Sequence, residues 1–313
     1  MTSLLQVGYL LCCCWCDQFF SKNFKRNSLI GKFDSVSVTV KSFHIVCSVV
    51  LLDTTLETST LGWTKHSSTA NSDFGWTEES YTDLVRGVNW RTFVVCDVVR
   101  PVGVVENWLR LPYLERGQAE RIYVEMRFTM RDCTRLPRQR TPASCKETFG
   151  LLYYQSPMDF EEPDMPAWRR GAWTQVDRVA AVEGRFSEND APVWNRESRS
   201  FPVTEAGFYI AFLDEGACLS LLSVKVYYLV CEERAEGLAV FPETPTGRDL
   251  LDISPSKGHC VANARPAQSD PPKFLCKSDG HWDLLQGKCE CLPGFSPTDQ
   301  RCQHIVARAD WLV

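Results

Sequence analysis

The stretch 207–228, Gly207-Phe-Tyr-Ile-Ala-Phe-Leu-Asp-Glu-Gly-Ala-Cys218-Leu-Ser-Leu-Leu-Ser-Val-Lys-Val-Tyr-Tyr228, limits what this chain can fold into more than any other. Side chains alternate across a strand, so Phe208, Ile210 and Phe212 fall on one face of a first arm. Leu222, Val224, Val226 and Tyr228 share a face of a second arm, with Ser223 and Lys225 turned away. Asp214-Glu215-Gly216 supplies the turn between them, and Gly216 can take the positive φ that such a turn requires. Cys218, just past the turn, is placed to tie the hairpin to another part of a sheet. The pattern predicts a core hairpin of an antiparallel β-sandwich.

The same signals recur from residue 49 to residue 231 as short strands between turns. Gly62-Trp63 and Gly75-Trp76-Thr-Glu-Glu79 punctuate the first part, and Arg91-Thr-Phe-Val-Val-Cys96 reads as a β-branched strand ending in a cysteine. Over 121–130, Ile122, Val124, Met126, Phe128 and Met130 alternate with Arg121, Glu125 and Arg127, which predicts one core face and one solvated face. The proline-rich insertion 155–168 carries Asp159, Glu161, Glu162 and Asp164. Such a loop holds carboxylates loosely and in water, so it is expected as a solvated excursion and not as an acid/base pair. After Cys231 strands thin out, Pro and Ser increase and cysteines crowd. A module the size of 232–302 cannot bury an adequate core and must rely on cross-links.

The 313 residues leave room for one large or two medium domains, and 44% apolar content can fill a core. A net charge of −5 gives no reason to expect a nucleic-acid partner. Of the 15 cysteines, Cys12, Cys13, Cys14, Cys16 and Cys47 precede residue 49 and ten follow. An even number scattered through a turn-rich chain points to disulfides and an oxidising compartment. A zinc site needs paired C-x-x-C ligands, and none occurs after residue 49, so no metal or other cofactor is expected. The apolar run 4–16 has signal-peptide length but no Lys or Arg before it and no small-residue cleavage site after it. A second apolar run, 44–52, overlaps the first strand. Residues 1–48 are read as sequence outside the mature domain, such as an aberrant first exon, with a poor signal peptide or acylation of the cysteine cluster as the alternatives.

The motif Gly207-Phe-Tyr-Ile-Ala-Phe-Leu-Asp-Glu-Gly-Ala-Cys218 resembles the hallmark of the ephrin-binding domain of Eph receptor tyrosine kinases. Asn107-Trp108-Leu109-Arg110, Phe128-Thr-Met-Arg-Asp-Cys133, Cys145-Lys-Glu-Thr-Phe149 and Phe241-Pro-Glu-Thr244 resemble the same family in the same order. The resemblance covers roughly residues 49 to 302. It implies a jelly-roll, galactose-binding-like β-sandwich over 49–231 and a sushi/EGF-like cysteine-rich module over 232–302, with a tail 303–313 that resembles nothing in the family. The length of the insertion and its Pro-Ala-Trp168 element look like the B class.

Four sandwich cysteines permit three pairings on their own. The resemblance selects Cys96 with Cys218 and Cys133 with Cys145, and implies Cys231–Cys276, Cys260–Cys289 and Cys291–Cys302 in the module. Cys133–Cys145 closes a short loop containing Pro137 and Pro142. The long-range Cys96–Cys218 bridge is worth roughly 4–5 kcal/mol in a chain-entropy model. The resemblance further implies that an apolar ephrin loop enters a channel walled by Val94 and Cys96, by Thr129, Arg131 and Cys133, and by Cys218, Ser220 and Leu222. Arg131 would be its polar anchor, presenting a planar fork to a carboxylate or to carbonyls. The sequence departs from the family at Leu213 (usually Gln), Ser220 (usually Ala), 179–184 and Leu111-Pro112-Tyr113, which bears on affinity and ephrin choice.

The resemblance implies a cell-surface recognition module for ephrins, favouring the B class, with receptors clustering through the ectodomain. The chain carries no apolar run of about 20 residues to span a membrane and neither the Gly-rich loop nor the His-Arg-Asp set of a kinase, so no catalysis is expected in it. A soluble ephrin decoy would share this chemistry. A carbohydrate-binding or glycan-hydrolysing sandwich is the alternative from another class, but hydrolysis needs two carboxylates fixed about 5–10 Å apart, and Glu125 and Glu147 stand isolated.

Overall fold

The computed structural model describes residues 46–68, 75–83, 87–98, 105–135, 145–161, 164–182 and 193–305. The leader-like run 4–16 with its cysteine cluster, Pro137, Pro142, Glu162, residues 183–184 and the tail beyond 305 lie outside the described residues. The protein is all-β. Twelve strands build a two-sheet sandwich: β1 (Cys47–Asp53), β2 (Thr64–Ser67), β3 (Thr77–Asp83), β4 (Val88–Cys96), β5 (Asn107–Arg110), β6 (Leu114–Glu115), β7 (Arg121–Met130), β8 (Thr148–Ser156), β9 (Thr174–Ala180), β10 (Asn195–Pro202), β11 (Gly207–Asp214) and β12 (Cys218–Cys231). Among the described residues no helix is long and apolar enough to cross a membrane.

One sheet runs β10-β7-β12-β4-β3, with β1 and Thr244–Pro245 also pairing along β12; the other runs β2-β5-β11-β8-β9, with β6 beside β11. All these pairings are antiparallel, and the hairpin β11–β12 contributes the central strand of each sheet. Gly216 in its turn has φ +107°, as a tight turn at that point demands. On β7 the predicted alternation holds along its whole length, with Ile122, Val124, Met126 and Phe128 fully buried between the sheets. They meet Phe149, Phe208 and Phe212 from the other sheet. Trp63 enters the same core and stacks on Phe93 at 4.9 Å.

Three sequence expectations need correction. Strand β1 begins at Cys47, which is buried and pairs with Val230, so residues 47 and 48 belong to the sandwich and not to the preceding segment. Leu222 does not share the core face of Val224 and Val226. A β-bulge between Leu221 and Ser223 shifts the parity, so Leu219 and Leu221 take the inward places before it. The insertion is not a wholly solvated loop. Phe160, Met165 and Trp168 pack on the outer face of the second sheet against Trp108, Leu152, Tyr209 and Leu213. Apolar residues spaced through the insertion find an apolar sheet face, and burial of that surface outweighs the preference of the chain's polar groups for water. Glu161 and Asp164 remain exposed.

Beyond β12 the chain forms short two- and three-stranded sheets around Phe241, Phe274 and Trp282, whose rings lie 4.9–6.2 Å apart. This unit is joined to the sandwich by pairing of Val230 and Cys231 with Pro245 and Thr244, and by Trp282 Nε1 donating to the Glu232 carbonyl at 2.7 Å. Gln303 and His304 pair with Ser296 and Phe295, so the first two residues of the expected tail close the last hairpin. Among the described residues five disulfides are formed: Cys96–Cys218, Cys133–Cys145, Cys231–Cys276, Cys260–Cys289 and Cys291–Cys302. These are the pairings that the resemblance implies.

Candidate functional site

The face of the first sheet that points away from the sandwich core gathers most of the residues singled out in the sequence. On β4, Phe93 and Val95 point inward, which turns Val94 and Cys96 outward. Register then builds rows across three strands. Cys96 faces Cys218, its disulfide partner, and Val94 faces Ser220, which in turn faces Thr129. Cys96 is exposed, Val94, Ser220 and Thr129 are partly exposed, and Cys218 is buried.

Arg131 continues the edge of this surface just past β7. Its backbone N–H donates to the Cys218 carbonyl at 2.9 Å, which fixes the main chain, while its exposed guanidinium has no hydrogen-bond or ion-pair partner among the described residues. Cys133 follows in a short turn, bridged to Cys145, with its N–H held by Glu147 Oε1 at 2.8 Å. Two disulfides thus stiffen the end of the surface that offers a free guanidinium. Leu222 is the exception among the expected wall residues: it is 5% exposed and lies in the bulge. Glu125 is engaged as well, accepting both Arg196 nitrogens at 2.8 and 2.7 Å.

The hairpin turn behind this face holds Asp214 and Glu215, which the sequence pattern read only as turn residues. Asp214 Oδ1 accepts from the N–H groups of Gly216 and Ala217 at 3.1 and 2.7 Å, and Oδ2 accepts from the Asn107 amide. Burial pushes the Asp214 carboxyl up to about 6, against these donors and with the Asp97 charge adding to the rise. Glu215, next in the turn, meets Lys146 at 2.8 Å, Arg178 at 3.2 Å and Arg170. Burial pushes its carboxyl up, but the Arg170 and Lys146 contacts outweigh burial and hold it below the usual range. The partners of Asp214 and Glu215 lie far off in the chain, so the sequence pattern marked the turn but not what its carboxylates hold.

The departures noted in the sequence fall at different places. Ser220 is in the central row. Leu213 is on the other sheet, 2% exposed and packed with Trp108 and Leu152, so an apolar residue there serves the second cluster. Leu111 is buried in the sandwich core, and Tyr113 donates to the Ser156 carbonyl at 3.2 Å. Val179 is a core residue.

Comparison with known proteins places this geometry. Residues 49–231 match the model described as the ephrin receptor ligand binding domain, and residues 232–291 the ephrin cysteine rich domain. Ephrin type-B receptor 5 of Gallus gallus is 42% identical over 274 residues, covering 83% of this chain and 26% of that protein. Ephrin type-B receptor 3 of Mus musculus is 40% identical over 255 residues, covering 81% of this chain and 24% of that protein. The chain therefore spans about a quarter of the length of these curated relatives. Among solved structures, a carbohydrate binding module of Cellvibrio mixtus lichenase 5A covers 56% of this chain at 12% identity and a TM-score of 0.30, too distant to bear on the site.

Proposed function

The chain belongs to the ephrin receptor family, and from that premise we propose that its first sheet binds an ephrin through the outward rows Cys96–Cys218 and Val94–Ser220–Thr129, with Arg131 as the anchor. The observation that carries this reading is the exposed Arg131 guanidinium, without a partner among the described residues, standing at the disulfide-stiffened end of the outward face. A stiff surface loses little conformational freedom when a loop settles on it, and an unpaired planar fork is ready to take a carboxylate or carbonyl pair. The B class is the favoured ephrin class, in keeping with the type-B relatives and with the long insertion packed on the second sheet. An extracellular or cell-surface location follows from the family, and the five disulfides fit it. The matched regions are a ligand-binding and a cysteine-rich domain, so the proposal assigns this stretch recognition and no chemical step. Contact signalling between cells, with receptors brought together through the ectodomain, is the setting proposed for it.

The test is binding of the purified chain, produced in an oxidising host with its disulfides mapped, to a panel of A- and B-class ephrins. Submicromolar binding confined to the B class is expected. Correctly bridged, folded protein that binds no ephrin would overturn the reading, and equal binding to both classes would remove the class preference.

A further inference from the structure

Trp90 has the parity of Val94 and Cys96 on β4 and so belongs to the outward face of the first sheet. Yet it is 4% exposed and joins neither packed cluster of the sandwich. Tyr81 on the neighbouring edge strand lies against it, and Tyr81 in turn meets a residue from the opposite edge of the sheet. Tyr81, the register partner of Trp90 on β3, lies with its ring 5.2 Å from that of Trp90. Trp194, the residue before β10, meets Tyr81 edge-on at 5.6 Å. Strands β3 and β10 end the order β10-β7-β12-β4-β3. In a flat sheet such edges would stand roughly 19 Å apart. The sheet therefore curls toward this face until aromatic side chains from its two edges touch. Beneath them, Trp90 Nε1 donates to the Leu222 carbonyl at 2.6 Å at the bulge of β12, and the Leu222 side chain is buried.

We propose that Tyr81 and Trp194 form a clasp across the Leu222 end of the outward face. A ligand loop lying along the whole face, from the Cys96–Cys218 bridge to Leu222, must part the two rings. At the opposite end Cys96 and Arg131 are exposed among the described residues. Tyr81 and Trp194 thereby set how deep an entering loop can seat, and a loop too short to reach them binds only the opposite end. Two aromatic rings in edge contact suit such a role. The contact is favourable enough to hold the rings together, yet it involves no covalent bond or buried charge that would keep them from parting. The inference takes its ligand from the ephrin reading, but the contact itself does not depend on that reading.

The experiment uses the full chain, labelled with 15N, and reads hydrogen exchange at the Trp90 indole N–H, which the clasp shields. Tyr81→Ala and Trp194→Ala are each expected to speed this exchange at least about tenfold, while Tyr81→Phe, which keeps the ring, leaves it unchanged. Association with an immobilised B-class ephrin should quicken roughly three- to tenfold in both alanine variants, with dissociation little altered. Unchanged indole exchange in both variants overturns the clasp. Faster exchange with equal or slower association overturns the gating role and makes the rings part of the binding wall. Faster exchange with no ephrin bound by the parent or any variant sustains the closure and removes the ephrin reading. Should Trp194→Ala melt well below the parent, Trp194→Leu keeps apolar bulk without the ring and decides the same question.

Discussion

Asn107 and Asp214 meet at 3.0 Å in the interior, where neither residue has any solvent exposure. The same amide nitrogen of Asn107 reaches Asp97 at 2.8 Å, and Asn107 Oδ1 accepts from Ser67. One amide thus lies between two carboxylates, one of which also closes the turn of the central hairpin beside the Cys96–Cys218 bridge. The placement of the outward rows depends on a buried group that can change charge near neutral pH.

That dependence has a definite sign. The Asp214 carboxyl titrates at about 6 in the folded protein against an ordinary value of 3.8. The folded state therefore holds more protons between those values. Its contribution to stability is fully present below 3.8 and is lost as pH rises through about 6. The melting temperature should rise as pH is lowered from neutral to about 5, with a total contribution on the order of 3 kcal/mol. Asp177, Glu215 and Asp279 are held below their usual range and act in the opposite direction, but only at lower pH. Asp214→Asn should abolish the rise and cost about 1–3 kcal/mol, because an amide N–H would then face the Asn107 donor. Calorimetry across this pH range checks both, and a flat curve for the parent protein would sink the argument.

Glu215 offers a second test. Its side chain is 11% exposed, while Lys146, Arg170 and Arg178 around it are 38–45% exposed. Removing the one anion leaves three cations converging on a single point. Solvent screens them in part, so Glu215→Gln should cost only about 1–2 kcal/mol at low salt. The loss should shrink in 1 M salt, where the screening length falls to about 3 Å. Denaturant melts at two salt concentrations measure it, and a loss that does not change with salt would show that packing and not charge is at stake.

Tyr209 ties the insertion to the second sheet. Its hydroxyl donates to Asp159 at 2.5 Å and accepts the Phe160 N–H at 2.7 Å, and burial with the Asp159 contact pushes it up to about 12. Tyr209→Phe leaves that N–H without its acceptor. The expected cost is about 1–2 kcal/mol, with faster amide exchange at Phe160 and no change at β7. Unaltered exchange at Phe160 would return the insertion to the status of a solvated loop.

Strand β7 was readable from the sequence because one of its faces is buried and the other is wet, so the two-residue repeat is written plainly. Strand β11 was only half readable. All eight of its residues are buried, since the insertion covers Tyr209, Ala211 and Leu213, and nothing local announces that cover. The bulge at Leu222 is invisible to a strict repeat, which therefore placed Leu222 one residue out of phase. Asn107 and Asp214 are 107 residues apart, and Tyr81 and Trp194 meet only because the sheet curls. Composition left three pairings open for the sandwich cysteines, and only the family motifs chose among them. Trp90 alone carried a local clue, as a large apolar residue on the strand face opposite Phe93 and Val95.

The anchor role of Arg131 can be isolated because, among the described residues, its side chain holds no partner. The backbone N–H holds the Cys218 carbonyl at 2.9 Å whatever the side chain is, and the guanidinium has no partner among the described residues. Arg131→Ala should therefore leave the melting temperature unchanged while weakening ephrin binding by about 1–3 kcal/mol. Arg131→Lys keeps the charge but loses the planar fork, so it should recover only part of that loss if the ligand presents paired oxygens. Calorimetric titration of parent and variants with one B-class ephrin separates the cases. Equal affinity across all three proteins would mean that the ligand passes Arg131 by, and the outward face would then have to hold it through Val94, Thr129 and Ser220 alone.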